Sequence, residues 1–287
     1  MTWTTAPHWS TNSGPSDSGV NVFFDYSTAG IPAAPGGGGT RGLKLQANQA
    51  NAIFSGVSVS PTNSALPAEY TLKFDWWSNF NGPFPAGGSG STQLSTFGVG
   101  TGGTAAQWPG GITDSVWFAA TGEGNSASDW RTYSSAATSS YPDASPIYAA
   151  GAVTGNRNSS SAYYSTFGSV TAPAAQLTSY SQQTGTTGVG SAGMEWHQVE
   201  ITKSTTAITW FVDGLLIATV DASTVTLGGN NIFFGHSDTN TTTSVDVNDV
   251  NLLFTLIDNV QVIPEPASAG LLTLGSLALL GRRRRTC

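Results

Sequence analysis

Apolar side chains at every second position are the feature that most narrows what this chain can fold into. Tyr70, Leu72, Phe74 and Trp76 alternate with Thr71, Lys73, Asp75 and Trp77, the pattern of a strand with one buried face. Val20, Val22, Phe24 and Tyr26 alternate with Asn21, Phe23 and Asp25, and Leu43 and Leu45 flank Lys44. Further strands are expected at 196–202, 207–212, 215–217 and 231–235. In the last, 252–262, Leu252, Phe254, Leu256, Asp258 and Val260 oppose Leu253, Thr255, Ile257, Asn259 and Gln261. Asp213-Gly214 joins Trp210-Phe211-Val212 to Leu215-Leu216-Ile217. A two-residue loop of this kind tolerates positive φ twice and predicts a hairpin. No stretch carries a helical period, and many short strands with Gly-rich turns argue for a β-sandwich.

Composition supports this and excludes several classes. Charged residues are 9 % against about 25 % in an average domain, too few for a solvent-washed helical protein. The 39 % apolar content provides a core and argues against disorder. Ten basic residues face 17 acidic ones, and four of the ten close the chain at Arg282, Arg283, Arg284 and Arg285. Such a surface repels a phosphate backbone, so nucleic acid is not an expected partner. The single cysteine, Cys287, cannot form an internal disulfide, and stability must come from packing. Residues 121–195, rich in Ser, Thr, Ala and Gly, read as long loops with two short strands. Pro32 to Gly39 reads as a flexible loop, and no internal repeat is evident.

The run WHQVEITKSTTAITWFVDGLLIATVD (196–221), with Leu256-Ile257-Asp258-Asn259-Val260 as a closing element, resembles the concanavalin A-like (laminin-G/lectin) jelly roll. The closing element also occurs in jelly-roll carbohydrate-binding modules. Both resemblances imply an all-β, two-sheet antiparallel jelly-roll sandwich over residues 1–262. Hydrolases of that fold carry Glu-x-Asp-x-x-Glu on one strand, and this chain has no such run. Its five Glu are Glu69, Glu123, Glu195, Glu200 and Glu265, and Glu195 and Glu200 point to opposite faces of a regular strand. Glycosidases need two carboxyls about 5–9.5 Å apart, so no enzymatic activity is expected. The three histidines, His8, His197 and His236, accompany no nucleophile elbow and no zinc cluster. No phosphate-binding loop is present. His197 reads as a strand histidine in or near the core.

Two binding chemistries stay open. Asp238, Asn240, Asp246, Asn248 and Asp249 place hard oxygens at alternate positions. They are either ligands for a structural Ca²⁺ or an Asx-rich turn; no other cofactor is required. The jelly-roll resemblance adds Asp258 as a calcium candidate beside the first strand, where Asp25 lies. Sugar binding would rest on aromatic rings. Trp77 shares a polar strand face, and Trp108, Trp117, Trp130 and Tyr133 sit in or near loops, where they either stack on sugars or cap the sandwich. Trp196 and Trp210 read as core.

The C-terminus carries an address. Pro264-Glu265-Pro266 precedes an uncharged run, 267–281, with Leu at 271, 272, 274, 277, 279 and 280, and then the four arginines. Fifteen helical residues reach about 22 Å, short of a hydrocarbon core of about 30 Å, and snorkelling arginines extend the span. Arginines favour the cytoplasmic side, which places the folded body on the other. The three-part order resembles a PEP-CTERM sorting signal, with Ile263 where Val is commoner. The resemblance implies a second unit, 263–287, with a short transmembrane helix. It also implies export in a Gram-negative-type bacterium, an exosortase-type partner at the inner membrane, and delivery to the envelope or extracellular matrix. The chain starts Met1-Thr-Trp-Thr-Thr-Ala-Pro-His, without a secretory h-region, and a start assigned late or a trimmed N-terminus is expected. The reading is a non-enzymatic exported protein that binds polysaccharide weakly, its partner an exopolysaccharide. A ligand-free structural surface protein and, third, a glycoside hydrolase are the alternatives.

Overall fold

A computed structural model describes residues 9–14, 18–47, 54–62, 65–85, 92–151, 153–239 and 247–265. Among them run β1 (Trp9–Ser13), β2 (Ser18–Asp25), β3 (Arg41–Ala47), β4 (Gly56–Pro61), β5 (Tyr70–Asn79), β6 (Gln93–Thr101), β7 (Val116–Thr121) and β8 (Trp130–Tyr133). Then come β9 (Trp196–Lys203), β10 (Ala207–Val212), β11 (Leu215–Asp221), β12 (Asn231–Asp238) and β13 (Phe254–Pro264). They form two antiparallel sheets, β1-β4-β12-β6-β7-β8 and β11-β10-β9-β5-β13-β3-β2. The fold is thus an all-β, two-sheet antiparallel sandwich with few helices.

Alternation decides which side chains meet between the sheets. Phe74 and Trp76 of β5 pack edge-on against Phe97 of β6, with centroids 5.1 and 5.6 Å apart. Trp210 of β10 stacks on Phe118 of β7 at 5.0 Å. Each buried ring contributes about 1.5–3 kcal/mol of transfer free energy. The predicted hairpin is present: Asp213 and Gly214 have φ of 51° and 78°, as a type I′ turn requires. The Asp213 carboxylate accepts the Gln198 amide and the His197 Nδ1–H, each at 2.7 Å. That fixes His197 in the core, 2 % exposed.

Two expectations are corrected. Strict alternation along the last strand breaks between Asp258 and Gln261, where a bulge shifts the register. Asn259 takes φ 52°, and inward positions move from Thr255 and Ile257 to Val260 and Val262. Trp196 is not in the inter-sheet core. It lies on the outer face of the seven-stranded sheet, edge-on to Trp77 at 5.8 Å and Tyr26 at 5.2 Å.

β13 also continues past 262. Ile263 and Pro264 pair with Thr71 and Tyr70. Glu265 donates its amide to Glu69 O at 3.2 Å, and its carboxylate accepts the Thr71 hydroxyl at 2.5 Å. The first two residues of Pro-Glu-Pro therefore extend the central β5–β13 pairing to its end. Pro266, the expected helix over 267–281 and the four arginines lie outside the described residues. Among the described residues, no helix is long and apolar enough to cross a membrane.

Candidate functional site

The five aromatics read as a sugar platform are buried and scattered. Trp77 is 3 % exposed; its polar strand face is roofed by Trp196, and its indole N–H donates to Asn79 at 3.2 Å. Trp108 packs on Phe54 at 4.7 Å, and Trp117 lies flat on Tyr133 at 3.8 Å. Trp130 faces Tyr164 between the sheets at 5.0 Å. The expectation that these rings present a face to solvent is corrected. Loops and neighbouring rings cover the faces that strand alternation alone would leave open.

The acidic candidates fare differently. Asp238 is buried in the sandwich and accepts the Ser55 amide at 3.4 Å, and Asp249 accepts the Asn81 side-chain amide at 2.8 Å. Asn248 precedes the short helix α2 (Asp249–Leu252). Asn240 and Asp246 lie outside the described residues, among which no group of three or more His, Cys, Asp or Glu is placed to hold a metal. Asp258 does not pair with Asp25. Asp25 caps the 3-10 turn Tyr26–Ala29 and meets Arg41 at 3.4 Å. Asp258 instead stands opposite Asp75 on β5. Tyr26 donates to it at 2.8 Å, while Asp75, 3 % exposed, accepts from the Gly36 amide at 2.8 Å and from Asn259 at 2.6 Å. Burial first, and then the neighbouring Asp75, raise the Asp258 pKa. The bulge explains this group: it turns Asn259 toward Asp75, and side chains at Gly36 and Gly37 would collide with it. Glu195 and Glu200 do not converge: Glu200 pairs with Lys73 at 2.6 Å, and Glu195 lies 3.8 Å from His197.

What the structure does bring together is a pocket on the outer face of the seven-stranded sheet, with a volume of about 230 Å³. Leu43, Leu45 and Ala47 of β3 turn inward, so Lys44 must turn outward. Its ammonium lies 4.7 Å from the ring centroids of both Phe24 on β2 and Phe254 on β13. Cation–π attraction at such distances contributes about 0.5–2 kcal/mol. Burial lowers the Lys44 pKa to about 8. The opposite wall is α1 (Ala174–Ser179), followed by Tyr180, and the 3-10 turn and α2 close the sides.

These walls are fixed by buried amides. Gln176 donates to Ala29 O at 3.1 Å and to Asn79 at 2.8 Å, and its own oxygen accepts from Gln183 at 2.9 Å. Asn79 donates to Leu252 O at 2.8 Å, and Gln46 donates to Val250 O at 2.6 Å. Three short helical segments from distant parts of the chain are thereby tied to one sheet, and the rim of the pocket is fixed. Leu177 and Val250 on that rim are 42 % and 46 % exposed.

No protein-family model matches the chain, and no curated protein matches its sequence. Solved structures similar to it include the carbohydrate recognition domain of Emp47p, at 10 % identity and a TM-score of 0.39, covering 92 % of this chain and 100 % of that one. The Bacillus licheniformis β-glucanase matches at 10 % identity and a TM-score of 0.39, covering 92 % and 94 %. The Ca²⁺-bound exoplasmic/lumenal domain of VIP36 matches at 8 % identity and a TM-score of 0.37, covering 91 % and 90 %.

Proposed function

We propose that this chain is a non-enzymatic, exported cell-envelope or extracellular-matrix protein, sorted through its C-terminal segment by exosortase-type machinery, whose sandwich binds a saccharide in the Lys44 pocket. The observation that carries the binding site is a preformed cavity that joins the rings of Phe24 and Tyr180 to the polar groups of Thr28, Ser179 and Asn251. Apolar walls with a few convergent polar groups are the usual make-up of a ligand site. At about 230 Å³ it falls below the roughly 300–1,000 Å³ of drug-sized sites, which suits one sugar ring or a chain end. The reading as a non-enzyme draws on the absence of the Glu-x-Asp-x-x-Glu run and on the engagement of Asp75 beneath the Gly36 loop.

A second reading, a structural surface protein without ligand, draws on the burial of Trp77, Trp108, Trp117, Trp130 and Tyr133. Calorimetric titration of the full chain with neutral and acidic oligosaccharides separates the two. Saccharide binding that Tyr180→Ala weakens tenfold or more supports the pocket. Unchanged affinity in that variant moves the site elsewhere, and no heat with any saccharide leaves the structural reading.

A further inference from the structure

Among the described residues, the Lys44 pocket is lined by one cation and no anion. Its lining carries Lys44, amides, hydroxyls and apolar groups, but neither Asp nor Glu, in a protein whose 17 acidic residues outnumber its ten basic ones. The carboxylates of the surrounding elements are engaged elsewhere. Asp25, at the end of β2, accepts the Ser27 and Thr40 hydroxyls and meets Arg41. Asp249 on α2 accepts from Asn81, and Asp258 on β13 accepts from Tyr26. Helix α1 contributes no acid. Among the described residues, Lys44 is the only Lys or Arg in the lining, and its ammonium meets two ring faces.

An ammonium held in this way has given up part of its hydration without gaining an ionic partner, an arrangement that favours an incoming anion. Phe24 and Phe254 restrict the lysine stem, so less side-chain entropy remains to be lost on binding. One point charge, rather than a fork or a cluster, suits a singly charged group.

We infer that the Lys44 pocket recognises a carboxylate-bearing saccharide, a uronic acid residue at a chain end, with its carboxylate against the Lys44 ammonium. The inference rests on the saccharide-binding reading above and adds the ligand's charge. The test titrates the full chain with a galacturonate oligosaccharide, its neutral methyl ester and a sulfated oligosaccharide, using wild type, Lys44→Met and Lys44→Arg. Wild type should bind the free acid at least tenfold more tightly than the ester. Lys44→Met, which keeps an apolar stem at this position, should erase that difference, and Lys44→Arg should restore most of it. Equal affinity for acid and ester overturns the inference and leaves saccharide binding standing. Tighter binding of the sulfated sugar than of the acid overturns the carboxylate assignment. Binding of none of the three overturns both the inference and the reading beneath it. A thermal melt of Lys44→Met within a few degrees of wild type confirms that the variant is folded.

Discussion

Unfolding stability is expected to be nearly flat between about pH 4.5 and 6.5 and to fall on both sides. Burial depresses His236 from 6.5 to about 3. In the folded chain it is neutral: Thr255 donates to Nδ1 at 2.8 Å, and Nε2–H donates to Gln93 at 2.8 Å. Between pH 6.5 and 3 the unfolded chain binds a proton that the folded chain does not, so stability falls with falling pH. Glu123 has the opposite sign. Burial, helped by Asp129, raises it from 4.5 to about 8, and its Oε2 is enclosed without a hydrogen-bond partner. Between pH 4.5 and 8 the folded chain holds the extra proton, so stability falls with rising pH.

The two slopes, each about 1.4 kcal/mol per pH unit, cancel where the windows overlap. About 2 kcal/mol is then lost from pH 4.5 to 3, and a similar amount from 6.5 to 8. The raised Asp258 tilts the plateau slightly toward acid, and the lowered Asp25, Asp143 and Asp221 steepen the acid limb. Urea midpoints between pH 3 and 9 measure the profile. Glu123→Gln should remove the alkaline limb and extend the acid limb up to 6.5. A Glu123→Gln profile superimposable on wild type contradicts the assignment.

Trp210→Ala should cost about 3–5 kcal/mol, the range for truncating a large buried aromatic. Trp210 belongs to the seven-stranded sheet, but its ring contacts are with Phe97, Phe118 and Trp130 of the six-stranded one, at 5.6, 5.0 and 5.6 Å. Its removal opens a cavity where the two layers join. In a domain of this size the loss lowers the melting temperature by roughly 6–20 °C. Trp210→Phe should cost much less, because it keeps most of the ring area and deletes an indole N–H that is buried without a partner. A change below about 1 kcal/mol in Trp210→Ala would show that the sheets are joined elsewhere.

Much of the seven-stranded sheet was legible in the sequence. Tyr70, Leu72, Phe74 and Trp76 do face inward, and Asp213-Gly214 does turn a hairpin. The six-stranded sheet was legible mainly in β12. Its outward positions are small or apolar: Ser58, Thr96, Gly98, Ala119 and Gly235 stand beside Trp117 and Phe233. Buried on both faces, these strands lack the polar contrast that makes alternation visible. The site was hidden for a different reason. Lys44 was visibly flanked by two leucines, but the rings it meets are Phe24 and Phe254, and Gln176 stands across the pocket from it. Their meeting depends on β3 pairing with both β2 and β13 and on a roof that begins at Pro173. Spacing along the chain encodes none of that. Trp77 misled because alternation reports which face a side chain takes, not whether a loop later covers that face.

Hydrogen exchange of the full chain, with and without a galacturonate oligosaccharide, tests the binding site most directly. Slowed exchange should be confined to residues 24–29, 42–46, 174–180 and 249–253, the segments that wall the Lys44 pocket. Slowing on the outer face of the six-stranded sheet with those four segments unchanged, or no slowing anywhere at saturating sugar, would contradict the account.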